Sequence, residues 1–218
     1  MTSVDLAEPS LVRAATSVPL WKRAVDVVAA SVLLLLLLPL MLVLAAAVKI
    51  TSHGPVFYRQ ERYGLNGRRF EMIKFRTMHV DADEQLQQDD ALQELLRAGG
   101  KPAEDSRVTT LGRDMRLLSL DELPQLWNVI RGEMSLIGPR PLRYRFELDW
   151  YEDGVDELLS VRPGMTGLWQ VSGRSNVSHR QRVQLDLEYV RSMAPSNDLS
   201  ILLRTIRVVL FPRDNGAY

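Results

Sequence analysis

The longest hydrophobic segment of the chain lies close to its N-terminus. An uncharged run extends from Val27 to Val48, a stretch of 22 residues. As a helix it would be about 33 Å long at roughly 1.5 Å per residue, which is enough to cross a bilayer. The run is too long for the core of a signal peptide, and no small-residue cleavage site is evident. We therefore predict a retained membrane helix over residues 21–50, preceded by a weakly patterned lead at 1–20.

The path of this segment through the membrane depends on Pro39, which lies near its middle. Proline removes a helical hydrogen bond and kinks or breaks a helix. Basic residues flank the run on both sides, and positive charge favours the cytoplasmic face. A re-entrant hairpin broken at Pro39 satisfies both observations and is our prediction, although a kinked spanning helix remains open. The flanking basic residues are Lys22, Arg23, Lys49, Arg59, Arg62, Arg68 and Arg69.

Alternating residues and a turn signal follow the apolar run. Val56–Gln60 and Arg69–Phe75 have the composition of strands, and Gly64 to Gly67 contains an Asn-Gly pair between them. This pattern predicts a β-hairpin. Lys74 and Arg76 stand at the end of its second strand.

Helical periodicity dominates the rest of the chain. Asp81 begins an acidic segment with an Asp-x-Asp sequence, which resembles a metal motif but is more typical of a solvated helix start. The last helix is basic and amphipathic, so it either lies on a membrane or completes the core. We predict an α+β fold in which residues 51–218 form a small, mainly helical domain. The predicted helices are Asp81–Leu96, Asp149–Leu159, Ser178–Met193 and Leu199–Phe211.

Two adjacent carboxylates, Asp121 and Glu122, stand out in this domain. Apolar residues recur at helical spacing after them, and Gly132 is a stop signal. Pro124 fits only the first turn of a helix, so we predict a helix that begins near Asp121. Free N–H groups at such an end favour phosphate and keep a carboxylate ionised. The alternative is a capping role, because Ser119 and Glu122 match the S-x-x-E capping box.

Composition and charge exclude several classes of function. The chain has no cysteine, so disulfides, thiolate metal sites and cysteine nucleophiles are excluded. Its three histidines have no metal-ligand spacing, and sequences typical of P-loop kinases, serine hydrolases and zinc proteases are absent. The net charge is +5 over residues 1–80, −6 over 81–105 and +1 over the remainder. A basic segment beside an apolar run indicates an anionic membrane surface rather than nucleic acid.

Two further residues suggest binding chemistry. Arg140 lies between prolines, which restrict its backbone and present the guanidinium in a fixed direction. Asp186 shares a helix face with apolar residues and needs a partner, either an arginine in a structural salt bridge or a ligand or metal. Loop arginines indicate phosphate, and adjacent carboxylates indicate Mg²⁺, a nucleophile or both. Together with the membrane segment, they predict phosphoryl transfer involving a lipid.

At this point a family resemblance becomes clear. Six segments occur in order over about residues 20 to 218, and they resemble the bacterial sugar transferase family of monotopic phosphoglycosyl transferases. The resemblance implies a re-entrant membrane helix and a cytoplasmic active site on the bacterial inner membrane. It also implies transfer of a sugar 1-phosphate from a UDP-sugar to undecaprenyl phosphate, with release of UMP. The segments are KRAVDVV…P, GPVFYRQERYG, FEMIKFRTM, SLDELPQLWNV, MSLIGPRPL and RPGMTGLWQVSGR.

The resemblance also implies roles for individual residues. Asp121 would be the nucleophile on the β-phosphate and Glu122 a Mg²⁺ ligand, with Asp121 as a second contact to the metal. Pro39 matches the proline that breaks the family's membrane helix. The substrate-binding positions implied are Lys74, Arg76, Arg140, Gln170, Arg174 and Asp186.

Two other functions are compatible with the same features. A lipid-pyrophosphate hydrolase would use water in place of the lipid acceptor, and a non-catalytic membrane scaffold would keep the fold without the chemistry. Both carboxylates are present, which favours an enzyme. The closing Gly216-Ala217-Tyr218 resembles members that serve exopolysaccharide or capsule synthesis, often with glucose or galactose. The identity of the sugar and the formation of a homodimer remain open.

Overall fold

The structure is a computed structural model, and it describes residues 19–97, 102, 105–173 and 177–211. One long helix precedes a domain of short helices and two small sheets, which agrees with the predicted mixed, mainly helical class. The N-terminal lead and Arg174 lie outside the described residues.

The first helix, α1 (Leu20–Thr51), has 32 residues and contains the whole apolar run. Pro39 lies inside it and does not divide it into two helices, so two separate hairpin arms are not seen. It is the one described helix long and apolar enough to cross a membrane. One stripe of α1 packs against the domain, while much of its remaining surface is exposed leucine and valine.

Both halves of α1 contact the same domain. The N-terminal half packs through Ala30, Leu34 and Leu37 into an apolar cluster with β2 and α5. The C-terminal half packs through Leu44 and Val48 into a second cluster, around Phe75 and Met115. The spacing of these residues is three to seven, as expected for one helical face.

Polar contacts fix the start of α1. Lys22 forms a buried ion pair with Asp198 at 2.6 Å, and Asp26 accepts hydrogen bonds from Ser135 Oγ and the Leu136 N–H. The Arg23 guanidinium donates to the carbonyls of Val129 and Ile130. Buried charges require such partners. The contacts of Lys22, Arg23 and Asp26 therefore attach the helix to the domain in one register.

The predicted β-hairpin is confirmed. Strands β1 (Phe57–Tyr63) and β2 (Arg69–Phe75) pair antiparallel, and Asn66 takes a left-handed conformation in the turn. Tyr58 is opposite Lys74 and Arg62 is opposite Phe70. Because side chains alternate along a strand, Arg62 and Lys74 share one face of the hairpin.

Two predicted helices are interrupted. The acidic segment forms α2 (Ala82–Gln88) and α3 (Asp90–Arg97), because Asp89 accepts a hydrogen bond from the Leu92 N–H and caps a new helix. Asp81 starts α2, so the interpretation of Asp-x-Asp as a helix start is confirmed.

The prediction of a single helix over Asp149–Leu159 was wrong. The structure has α6 (Arg145–Asp149), a 3₁₀ turn at Glu152–Gly154 and α7 (Val155–Leu159). Glu152 has a positive φ of 46°, which ends the first helix.

The remaining elements surround the loops that carry the candidate site. They include α4 (Thr110–Leu117), α5 (Gln125–Arg131) and α8 (Leu168–Val171). The predicted C-terminal helices are present as α9 (His179–Arg191) and α10 (Pro195–Leu210). Ser178 caps α9 through its hydroxyl, and α10 begins at a proline, which explains its earlier start.

A short parallel sheet positions the Arg140 loop. Strand β3 (Ser135–Ile137) pairs with β4 (Gly164–Thr166), and the two backbones approach closely at their glycines. A Cβ added at Gly164 would lie 2.1 Å from the Gly138 nitrogen. Glycine is therefore required here for steric reasons.

Gly164→Ala should separate β3 from β4 and displace the Arg140 loop. We expect the free energy of unfolding to fall by about 3 kcal/mol, since the clash is with backbone. Gly154→Ala is the matched control, because its Cβ would meet the flexible side chain of Leu187 instead. Thermal melts of both variants test this, and equal losses would contradict the assigned role of Gly164.

Candidate active site

The carboxylate pair lies in a 3₁₀ turn, Leu120–Glu122, that precedes α5. Pro124 is the residue before the helix, so the prediction that the helix begins near Asp121 was wrong by four residues. The turn forms because Ser119 takes a left-handed conformation, with φ 57°. The Ser119 side chain makes no capping hydrogen bond to this turn, so the capping alternative was also wrong.

The apolar neighbours of the pair face α1. Leu120 and Leu123 pack in the cluster that contains Leu44 and Met41 of α1. The side chain of Asp121, between them in the chain, is buried within the domain. The carboxylates therefore lie directly beside the apolar helix.

Glu122 is paired with a lysine from the hairpin. Lys74 Nζ lies 2.7 Å from Glu122 Oε1, so the structure brings these two site residues together. Burial opposes ionisation of Glu122, but the charges of Lys74 and Arg140 outweigh it and lower its pKa to about 2. Glu122 is therefore an anion at neutral pH.

Asp121 differs electrostatically from its neighbour. Burial raises its pKa, Lys74 opposes that effect and the charge of Glu122 adds to it, so that the pKa is about 6. The carboxylate is mostly ionised at pH 7, although its pKa is raised and not lowered as the predicted helix end would make it. Lys74 and Arg116 favour the charged form here, rather than the first turn of a helix.

A cavity opens beside the pair, and Glu122 lines it whereas Asp121 does not. It brings together four predicted site residues from distant parts of the chain. The polar side chains that line it are Arg62, Lys74, Glu122, Gln125, Arg140 and Gln170.

Arg140 reaches the cavity from the loop that follows β3. The Gly138 N–H donates to the Thr166 carbonyl and the Gly164 N–H to the Pro139 carbonyl, so that β4 holds this loop on both sides of its first proline. The Arg140 guanidinium also lies 5.9 Å from the centre of the Trp169 ring. The loop is therefore rigidly supported, as its proline-rich sequence predicted.

Asp186 lies behind the cavity rather than in its lining. It is almost fully buried, and the Tyr151 hydroxyl donates to its Oδ2 at 2.8 Å. The hydrogen-bond partner of Asp186 is thus a tyrosine, and not the arginine that a structural salt bridge would require. Burial raises its pKa to about 7, while Tyr151, the nearby arginines and the Arg140 N–H act in the opposite direction. The charges of Arg182 and Arg140 connect Asp186 electrostatically to the site.

The structure does not bring every predicted residue into the cavity. Arg76 donates to the carbonyls of Ser52 and Pro55, and so it attaches the end of α1 to the domain. Pro39 lies within α1, away from the carboxylates. Arg174 lies outside the described residues.

Three residues of the site were missed by the sequence analysis. Arg62 and Gln125 line the cavity, and Arg116 acts on Asp121 through its charge. Strand alternation was a usable signal for Arg62, because it places this residue on the Lys74 face of the hairpin. Arg116 had no such signal, since its bond to Thr77 Oγ1 at 2.9 Å depends on tertiary packing.

The residues present suit Mg²⁺. In the described part of the chain, no group of three acidic or histidine side chains could hold a metal ion. The candidate metal ligands are therefore the two carboxylates of Asp121 and Glu122. Mg²⁺ usually takes one or two protein carboxylates and completes its coordination with water and substrate phosphates. Two adjacent carboxylates, one of which lines the cationic cavity, fit that pattern.

Paired carboxylates beside a cationic cavity are typical of enzymes that act on phosphorylated substrates. The chain belongs to the bacterial sugar transferase family, whose model matches residues 17–212. The protein is thus a member of a transferase family, as the sequence resemblance indicated.

Three relatives illustrate the range of this family. The chain is 48% identical over 202 residues to the exopolysaccharide production protein ExoY of Rhizobium meliloti (strain 1021), covering 90% of this chain and 88% of that protein. It is 44% identical to an undecaprenyl-phosphate galactose phosphotransferase of Salmonella typhimurium (strain LT2), covering 90% of this chain and 41% of the relative. It is 42% identical to a UDP-glucose:undecaprenyl-phosphate glucose-1-phosphate transferase of Caulobacter vibrioides, covering 89% and 71%.

Proposed function

We propose that the protein transfers a hexose 1-phosphate from a UDP-sugar to undecaprenyl phosphate and releases UMP, as the first membrane step of exopolysaccharide assembly. The observation that carries the proposal is the cationic cavity lined by Lys74, Glu122 and Arg140, together with Asp121, which precedes Glu122 in the chain and feels the charges of Lys74 and Glu122. The names of the relatives support the two substrates, because they include UDP-glucose and undecaprenyl phosphate.

Asp121 acts as the nucleophile in the proposed reaction. A carboxylate oxygen attacks the β-phosphorus of the UDP-sugar, and the bond from that phosphorus to the bridging oxygen breaks, so that UMP leaves with the electron pair. The phosphate oxygen of the lipid then attacks the same phosphorus. The bond to Asp121 breaks and the free carboxylate is restored. A pKa of about 6 keeps this carboxylate ionised at neutral pH.

The surrounding residues bind and orient the diphosphate. Arg140 offers a planar fork that can hold two phosphate oxygens, and its support by β4 limits the entropy lost on binding. Lys74 keeps Glu122 anionic and favours the ionised form of Asp121. The carboxylates of Glu122 and Asp121 would hold Mg²⁺. Bound there, the metal offsets negative charge on the diphosphate and the leaving UMP.

The exposed apolar surfaces support attachment to the inner membrane, with the domain on the cytoplasmic face. In α1 the exposed side chains include Leu35, Leu36 and Leu42, and α10 exposes Leu203 and Leu210. Contacts of both halves of α1 with one domain favour entry and exit on the same side of the bilayer. A straight span would carry one of its ends away from the domain.

Release of UMP tests the reaction. Purified protein in nanodiscs should release UMP from UDP-glucose or UDP-galactose in amounts that match the lipid product, and release should depend on undecaprenyl phosphate. Continuous release without the lipid would indicate the hydrolase. No release with a panel of UDP-sugars would indicate the scaffold.

Cysteine labelling tests the membrane path, since the chain has no native cysteine. We expect Leu20→Cys and His53→Cys to resist a membrane-impermeant thiol reagent in intact cells and to react after lysis. Both positions are exposed in the structure. Glu94→Cys on the domain surface is the control. Labelling of Leu20→Cys alone in intact cells would establish a spanning helix and contradict the proposed path.

A further inference from the structure

Arg62 is an arginine of the cavity whose role the family resemblance did not supply. It lies on β1, on the hairpin face that carries Lys74, and it lines the cavity with Arg140. Its guanidinium donates to the Pro141 carbonyl at 3.0 Å and to the side chain of Gln60. Its Nε is buried and makes no hydrogen bond.

Arg62 has a like charge as its strongest charged neighbour and forms no ion pair among the described residues. Burial and repulsion by Arg140 lower its pKa to about 9, and the charges of Glu147 and Glu122 offset these effects only in part. In the described part of the chain neither Arg62 nor Arg140 forms an ion pair, whereas Lys74 is paired with Glu122. Two cations held together in a partly dry site repel each other, and an anion between them relieves that repulsion.

We propose that Arg62 and Arg140 form a two-arginine site that binds a phosphate dianion of the substrate. The inference rests on the proposed function in taking the cavity as the substrate site, and it adds Arg62 as a binding residue. Lys74 is not part of this site, because its charge is already paired with Glu122. Two guanidinium forks provide donors for several non-bridging oxygens of a phosphate or diphosphate.

Attachment of the Arg140 loop alone does not account for Arg62. One bond to the Pro141 carbonyl would serve that purpose, and a neutral side chain could make it without repelling Arg140. The charge carries a cost in the free protein that Glu147 and Glu122 offset only in part, and a bound anion would offset the remainder. A residue kept at such a cost is typical of function rather than of stability.

The dianion has two sources in the proposed reaction, the nucleotide diphosphate and the lipid phosphate. Their phosphate chemistry is the same, so the cavity does not distinguish them. Separate probes do. Inorganic pyrophosphate and UMP report on the nucleotide source, and a short-chain polyprenyl phosphate reports on the lipid source.

The test measures binding by titration calorimetry on the full chain in nanodiscs, together with the melting temperature without ligand. Arg62→Met should raise the Kd for pyrophosphate at least tenfold, and it should leave the melting temperature unchanged or higher because the repulsion is gone. Arg59→Met is the matched control, on the same strand but with an exposed side chain. It should leave the Kd within twofold. Arg62→Lys keeps the charge without the fork and should weaken binding several-fold.

The outcomes separate the alternatives. A raised Kd for UMP with an unchanged Kd for the polyprenyl phosphate assigns the site to the nucleotide, and the reverse assigns it to the lipid. Unchanged constants for all three probes, in Arg62→Met or, if that variant does not fold, in Arg62→Lys, would overturn the proposal. A lower melting temperature with unchanged binding would give Arg62 a structural role. Pyrophosphate binding needs neither a sugar nor turnover, so this test stands apart from that of the transferase.

Discussion

Asp121→Asn should abolish turnover and at the same time stabilise the protein. An amide of the same shape is not a nucleophile, so we expect the rate to fall by several orders of magnitude. The stability gain follows from the raised pKa of about 6 against an ordinary value of 3.8. At about 1.4 kcal/mol per pKa unit, an ionised Asp121 costs the fold about 3 kcal/mol at neutral pH.

Because folding raises the pKa of Asp121, the stability of the protein depends on pH in a defined direction. A carboxyl whose pKa is raised by folding favours the folded state when protonated, so the wild-type protein loses stability as the pH rises from about 4 to 6. The advantage of Asp121→Asn should therefore be absent below pH 4 and complete above pH 6. Thermal melts at several pH values test this, with the exposed Asp149→Asn as the control. An Asp121→Asn protein that is inactive and less stable at pH 8 would contradict the account.

Lys74→Met should move the acidic limb of the pH–rate profile to higher pH. Lys74 is the strongest of the charges that lower the pKa of Asp121, and the wild-type limb should lie near pH 6, where Asp121 protonates. A nearby opposite charge typically shifts the pKa of a carboxyl by about 1–3 units, so removal of Lys74 should shift the limb upward by a similar amount. At pH 7 much of the nucleophile would then be protonated.

The measurement is kcat/KM from pH 5 to pH 9, which reports the free enzyme. Methionine keeps the length of the side chain, so the hairpin should remain folded. Arg59→Met, which removes an exposed cation from the same hairpin, should leave the limb unchanged. A slower Lys74→Met enzyme with an unmoved limb would mean that Lys74 binds substrate without controlling the ionisation of Asp121.

Local sequence signals were sufficient for the elements that depend on short-range physics. The hairpin has its Asn-Gly turn, α9 has its serine cap and α1 has its uninterrupted apolar run. Breaks inside helices were harder to predict. Asp89 caps a new helix within an acidic run, and Glu152 takes an unusual backbone conformation that no residue preference favours.

The candidate site was predicted in part, because some of its residues also have local sequence signals. Asp121 and Glu122 are adjacent in the chain, and the family motifs supplied Lys74, Arg140 and Gln170. The 3₁₀ turn was missed because Pro124 fits the residue before a helix as well as its first turn. Whether an arginine faces the cavity or the end of α1 depends on tertiary packing.

The central claim is that Asp121 forms a covalent bond to the sugar phosphate before the lipid takes part. The most direct measurement incubates the protein with a UDP-sugar and labelled UMP, without any polyprenyl phosphate. A covalent intermediate makes the first step reversible on its own, so label should enter the UDP-sugar, and Asp121→Asn should abolish that exchange. Enzyme that makes the lipid product but exchanges no label without the lipid would contradict the nucleophilic role of Asp121.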